Sequence, residues 1–129
     1  MPAGEQLSAA HRADIERQVA LAERQSGLPF SVYLGPLADG RASAEELHAT
    51  LHDPARAVLV AIDPAGRRIE IVTGAESARW LDDRACRLAA MSMTTSFSAG
   101  DLAGGVRDGL GVLAEHARHP RVLHTDEPW

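Results

Sequence analysis

Two short strands joined by a tight turn constrain this chain more than anything else in it. Residues 57–63 read Ala-Val-Leu-Val-Ala-Ile-Asp, apolar on both alternating faces until the last position. A strand wetted on one side alternates apolar with polar, whereas one apolar on both sides needs cover from each. The turn that follows is Asp63-Pro64-Ala65-Gly66-Arg67. Proline presets φ at one turn position, glycine accepts the unusual dihedral, and the aspartate side chain can cap the bend. Residues 68–73, Arg-Ile-Glu-Ile-Val-Thr, then alternate until Gly74 ends the run. So short a link makes the two strands antiparallel neighbours. The first is therefore expected to be the most buried strand of the sheet, with residues 30–34 along its other edge.

The rest of the core must be aliphatic. The aromatic residues are Phe30, Tyr33, Trp80, Phe97 and Trp129, five in a chain of 129, so alanine-rich helices have to lie close together. That length supports one domain with an ordinary core. All 13 basic residues are arginine, and lysine and asparagine are absent, as in a chain encoded by a GC-rich genome. The lack of lysine excludes a Schiff-base amine, a pyridoxal-phosphate anchor and the lysine of a P-loop. A formal net charge of −5 argues against a sequence-independent grip on nucleic acid and against docking on an anionic membrane. No apolar run is long enough to span a bilayer, and the first residues lack the basic-then-apolar order of a signal peptide. The single cysteine, Cys86, permits neither an intrachain disulfide nor a cysteine-based zinc site. A soluble cytoplasmic protein is expected, although a piece of a longer chain would read the same way.

The remaining segments supply helices. After a loose leader at residues 1–7, Ser8 is placed to cap a helix whose stripe is His11, Ile15, Val19 and Ala22 and which Gly27 stops. Residues 29–34 alternate as a strand ending at Gly35-Pro36. Ser43-Ala44-Glu45-Glu46 has the spacing of a capping box and opens a short helix through Leu47 and Leu51, stopped by Asp53-Pro54. Asp82 or Asp83 caps a helix through Ser96 with the stripe Leu81, Ala85, Leu88, Ala89 and Met93. Asp101 opens a last helix along Leu102, Val106, Leu110, Leu113 and Ala117. Residues 119–129 contain two prolines and read as an extended arm in which Val122, Leu123 and Trp129 are expected to pack against the chain or a second copy. The order α-β-α-β-β-α-α predicts a single domain over 1–129 with its core at 8–118. The expected architecture is a three-layer α/β sandwich, a small mixed sheet with helices on both faces.

Several groupings bear on chemistry. His48 and His52 stand four apart on a helix, but Ala49 occupies the position where a metalloprotease pattern has glutamate. His116 and His119, with His124 beyond, fall where a helix C-terminus favours histidine. The glycines of residues 100–107 are spaced as in a P-loop but follow a helix and lack its Lys-Ser/Thr. They suit close helix packing better. Cys86 lies one turn into a helix beside an apolar stripe, and a structural thiol fits better than a nucleophile. No Gly-x-Ser-x-Gly elbow is present. The carboxylates Asp82, Asp83 and Asp101 are the stronger candidates. Grouped, they would hold Ca2+ or Mg2+ through oxygen. Ungrouped, each caps its own helix.

The strand pair ending in Thr73-Gly74, the Leu81-Asp82-Asp83 helix start, Met91-Ser92-Met93, Phe97 and Ser98-Ala99-Gly100-Asp101-Leu102 with Gly104-Gly105 together resemble the TPM domain. That superfamily is named from a thylakoid lumen protein, a photosystem II repair protein and a nematode receptor modulator. Within it, the chain is most similar to a small uncharacterised actinobacterial group, and the resemblance runs over residues 28–117. It implies an α/β sandwich around a mixed sheet. Some members are described as acid phosphatases, some bind Ca2+, and others act in assembly or regulation. Carried over, the acidic positions are Asp82, Asp83 and Asp101. The signal peptide and C-terminal membrane segment of many members are not seen in this sequence, nor is an Arg-Ser cluster beside the aspartates. Two functions follow as expectations. The favoured one is a non-catalytic module binding a protein partner or itself, with a divalent cation at the aspartates. The alternative is a metal-assisted phosphomonoesterase using the same aspartates, with Arg79 or Arg107 on the phosphate.

Overall fold

A computed structural model of the protein describes residues 8–118. In chain order the elements are α1 (Ala9–Ser26), β1 (Phe30–Leu34), α2 (Arg41–Ala49), β2 (Val58–Asp63), β3 (Arg68–Thr73), a 3-10 turn (Ser77–Arg79), α3 (Asp83–Ser98) and α4 (Leu102–His116). The expected arm at residues 119–129 lies outside the described residues.

The sheet has the order β1-β2-β3. β1 runs parallel to β2, with Val32 opposite Val60, and β3 runs antiparallel, with Ile71 opposite Val60. The expectation for residues 58–62 holds: all five are buried. Their two faces feed two cores. On one side Phe30, Val58, Val60, Ile62 and Ile71 pack with Ile15 and Ala22 of α1, Ala85, Ala89 and Met93 of α3, and Val106, Leu110 and Leu113 of α4. On the other, Leu59, Ala61 and Val72 meet Leu37 and Ala44, with Leu47 against them. Helix layers on both faces make the three-layer α/β sandwich that two-sided apolarity demanded.

Ends of elements follow capping chemistry. The Ser8 hydroxyl accepts the N–H of His11, and Gly27 ends α1 in the left-handed region at φ 77°. Two boundaries differ from the sequence expectation. α2 starts at Arg41, two residues before Ser43, and Ser43 Oγ accepts the Asp39 N–H at 2.8 Å. Ser43 thus sits in the first turn and reaches back, rather than capping; Leu51 lies beyond the helix end. In the β2–β3 turn the positive φ (54°) falls on Arg67, not on Gly66. His11 and Leu88, expected on buried stripes, are exposed.

Asp63 caps the turn as expected and reaches further. Its Oδ1 accepts the Gly66 N–H at 2.9 Å and its Oδ2 the Leu37 N–H at 3.0 Å. Those two donors, Leu37 first, hold its carboxyl below the usual aspartate range, helped by the Arg68 charge. The folded protein therefore keeps Asp63 ionised to lower pH than the unfolded chain does. The stabilisation is complete above the unfolded value of about 3.9 and is lost as pH falls through the lowered native one. Asp63→Asn should lower the urea midpoint at pH 7, with the gap to wild type closing progressively below about pH 4. A gap independent of pH would show that the charge contributes nothing.

Candidate functional site

Backbone hydrogen bonds fix which way the strand edges face. Val58 N–H donates to Pro29 O, and Gly35 N–H donates to Ile62 O. The backbone groups of Val58, Val60 and Ile62 therefore point at β1, and those of Leu59, Ala61 and Asp63 point at β3. Their partners on β3 are Val72, Glu70 and Arg68. By the same alternation Ile69, Ile71 and Thr73 aim their N–H and C=O groups away from the sheet, along an edge that no further strand covers among the described residues. Arg41 reaches this edge from α2, its Nη1 donating to Ile71 O at 2.7 Å.

A groove of about 270 Å³ runs beside that edge, under the start of α3. Ile69, Ile71 and Thr73 form its floor, and Arg41, Cys86 and Arg87 are among its walls. The second face of β3 carries charge: Glu70 accepts from Arg41 at 3.4 Å and from Arg68 at 3.3 Å. Arg87 makes no ion pair among the described residues. Burial, then the neighbouring Asp83 carboxylate, pushes the Cys86 thiol up from its ordinary value. At neutral pH it is a protonated wall group, which matches the reading as a structural thiol.

A second cavity, about 330 Å³, opens at the carboxyl ends of the parallel strands β1 and β2, between Leu34, Pro36, Pro64 and Ala65. That is where open α/β sheets commonly take ligands. Here both oxygens of its one carboxylate, Asp63, already accept backbone N–H bonds.

The three candidate aspartates are not brought together. Asp82 caps α3, its Oδ1 accepting the Ala85 N–H at 2.9 Å, and Asp83 occupies the first turn. Asp101 caps α4 through the Gly104 N–H at 2.9 Å. The 16 residues of α3 separate the two places by roughly 24 Å at 1.5 Å per residue. Among the described residues no group of three or more His, Cys, Asp or Glu side chains is placed to hold a metal ion. Asp82→Ala and Asp101→Ala should each cost about 1 kcal/mol in denaturant unfolding, the worth of a lost cap. Equal midpoints for variant and wild type would contradict the capping role.

Other candidates also serve structure. His48 is buried with Nε2 3.0 Å from Ala57 O, while His52 is exposed beyond the end of α2. His116 Nδ1 lies 3.0 Å from Val112 O in the last turn of α4. Arg107 pairs with its neighbour Asp108 at 3.5 Å, and Arg79 lies in the 3-10 turn. Sequence reasoning missed the groove. Its signal was the polar alternation of residues 68–73, which marks a strand half in water. That Arg41 meets this strand depends on packing between elements far apart in sequence.

Solved structures share the fold. The NMR structure of the BA42 protein from Bizionia argentinensis superposes with a TM-score of 0.74 at 16% identity, over 86% of this chain and 81% of that one. The N-terminal domain of the cg2496 protein from Corynebacterium glutamicum gives 0.71 at 14% identity, over 87% and 74%. An N-terminal domain of a protein from P. gingivalis gives 0.67 at 18% identity, over 95% and 82%. A protein family described as a domain of unknown function, DUF5130, matches residues 4–114.

Proposed function

The chain belongs to the DUF5130 family, and from that premise we propose that it is a TPM-like, non-catalytic α/β module that binds a protein partner in the groove beside β3. The observation that carries the reading is the open edge of β3, which pairs with no further strand among the described residues and borders a groove walled by Arg41, Asp83 and Arg87. An exposed strand edge is a template for another chain, and the charged side chains beside it, Arg41, Asp83 and Arg87, supply selectivity. A divalent cation, Ca2+ or Mg2+, belongs to this reading at Asp82 and Asp83, which share one helix start; Asp101 stands at the other end of α3. An assembly role in the cytoplasm belongs to this reading as well. No helix among the described residues is long and apolar enough to cross a membrane.

The test is selection from a displayed library of twelve-residue peptides against the wild-type domain. Peptides should be enriched that lose binding to Arg87→Glu. The rival is metal-assisted phosphomonoester hydrolysis. It is checked with a generic phosphomonoester in Mg2+, Ca2+ or EDTA, on wild type and Asp82→Ala. Failure to enrich any peptide, or EDTA-sensitive turnover that Asp82→Ala abolishes, overturns the binding reading. A thermal shift in millimolar Ca2+ or Mg2+ that Asp82→Ala removes would support the ion.

A further inference from the structure

We infer that the cavity at the carboxyl ends of β1 and β2 is a binding site for a small uncharged aromatic molecule, held flat between the rings of Pro36 and Pro64. The site is separate from the groove beside β3 and does not depend on it, since no residue lines both.

Strand register sets the two walls. Leu34 stands opposite Ile62 in the parallel pair, and each strand reaches a proline two positions later. Pro36 and Pro64 therefore leave the sheet at one level from neighbouring strands. Beyond that pair the chain parts, toward α2 on one side and into the β2–β3 turn on the other. A space of about 330 Å³ opens there, lined also by Leu34, Gly35 and Ala65. Its walls are fixed before any ligand arrives. Asp63 Oδ2 accepts the Leu37 N–H at 3.0 Å and its Oδ1 the Gly66 N–H at 2.9 Å, so one carboxylate ties the loop that carries Pro36 to the turn that carries Pro64. The Tyr33 hydroxyl donates to Pro36 O at 2.9 Å, and the Arg67 N–H donates to Pro64 O at 3.2 Å. A cavity held in this way loses little freedom when it binds.

The lining selects the ligand. Among the described residues it has no cationic side chain. Pro36 and Pro64 have no N–H to offer, and the N–H of Gly35 is spent on Ile62 O. An anion would find few donors there and would meet the charge of Asp63. A cation would have to draw Asp63 off the two backbone N–H groups it already holds, and both walls would loosen. What remains is an apolar slot of the size that small ligands fill, at the strand ends where open α/β sheets take them. Proline rings are rigid and apolar and lie well against the face of an aromatic ring. Aromatic-lined grooves use the same pairing, with the roles exchanged, to dock proline-rich segments. A saturated ring is thicker and puckered, and it loses that contact.

The experiment is a titration of the full chain followed in amide NMR spectra, with indole, phenol, cyclohexanol and benzoate as probes. Indole should move the signals of Gly35, Ala65 and Gly66 along saturable curves, with half-saturation at about 1 mM or below. Phenol should bind tighter than cyclohexanol, which has the same size, and benzoate should leave the three signals in place. Pro36→Ala combined with Pro64→Ala should abolish the indole shifts. The bonds that fix the walls run to main-chain oxygens of these two residues, and alanine keeps those. The comparison of probes uses the wild-type protein alone, so it decides the matter even where the double variant fails to fold. Indole shifts that do not saturate, or cyclohexanol or benzoate binding as well as phenol, would overturn the site. So would a folded double variant that binds indole as the wild type does.

Discussion

Gly74→Ala should destabilise the domain by about 3 kcal/mol or more, at the upper end of what overpacking costs. A Cβ built on Gly74 would lie 2.0 Å from Pro54 O and 2.5 Å from Ala55 O. These are backbone oxygens, which no rotamer change can move aside. φ at this residue is not positive, so space alone requires the glycine. The loop that would have to shift is pinned. Ala55 O accepts the N–H groups of Glu76 at 2.9 Å and Ser77 at 3.1 Å. Buried Ser77 takes the Gly74 N–H at 2.8 Å and donates to Ala57 O at 3.2 Å. Moving residues 54–55 therefore breaks bonds at the mouth of β2, the most buried strand. In thermal unfolding the loss corresponds to a midpoint lower by about 10–20 °C for a domain of this size. A midpoint within 4 °C or so of wild type would mean that the loop yields, and the clamp has no energetic weight.

Gly74 also illustrates what the sequence could and could not display. Its place at the end of β3 was legible because the alternation of residues 68–73 stops there. The need for glycine was not, since the contact comes from Pro54 and Ala55, some twenty positions earlier. The strand pair, the burial of residues 58–62 and the caps at Ser8, Asp82 and Asp101 rest on local signals, periodicity and capping chemistry, and these were read correctly. The parallel pairing of β1 depends on where α2 carries the chain, so only a mixed sheet could be expected. Ser43 misled because Gly40, with φ 58°, starts α2 earlier than the capping-box pattern does.

The candidate site was less legible for the same reason. Asp82, Asp83 and Asp101 could be read from the sequence either as one cation site or as separate helix caps, and Asp82 and Asp101 are caps. A helix of 16 residues stands between Asp83 and Asp101, and spacing alone could not tell whether its packing brings the three carboxylates together. The groove instead joins Arg41, Ile71 and Arg87, each from a different element. None of the three carries a local mark of function. Only the wet-dry alternation of β3 hinted that one of its sides lay open.

Within α4, two glycines two positions apart should respond oppositely to the same substitution. Gly109→Leu is expected to cost about 2–3 kcal/mol, and Gly111→Leu to gain somewhat under about 1 kcal/mol. Replacing glycine by leucine in a helix interior carries the same propensity gain at both places, so packing decides the sign. A Cβ at Gly109 would stand 2.6 Å from Met93 Cγ and 2.7 Å from its Sδ, whereas one at Gly111 meets nothing within 4 Å. Methionine is the most adaptable of core side chains, yet Met93 has no exposed surface and nowhere to retreat. Gly105 tightens the same seam, with a built Cβ 2.5 Å from the Phe97 ring. The two helices lie this close because Gly105 and Gly109 put no side chain into the seam. α3, held by that seam, is the wall of the groove beside β3. Gly109→Leu should therefore also weaken any ligand bound there, while Gly111→Leu should leave it unchanged. Denaturant midpoints for the matched pair check the first claim, and titration of the same two variants checks the second. Equal shifts of the same sign would show that helix propensity, and not the α3–α4 contact, governs this face.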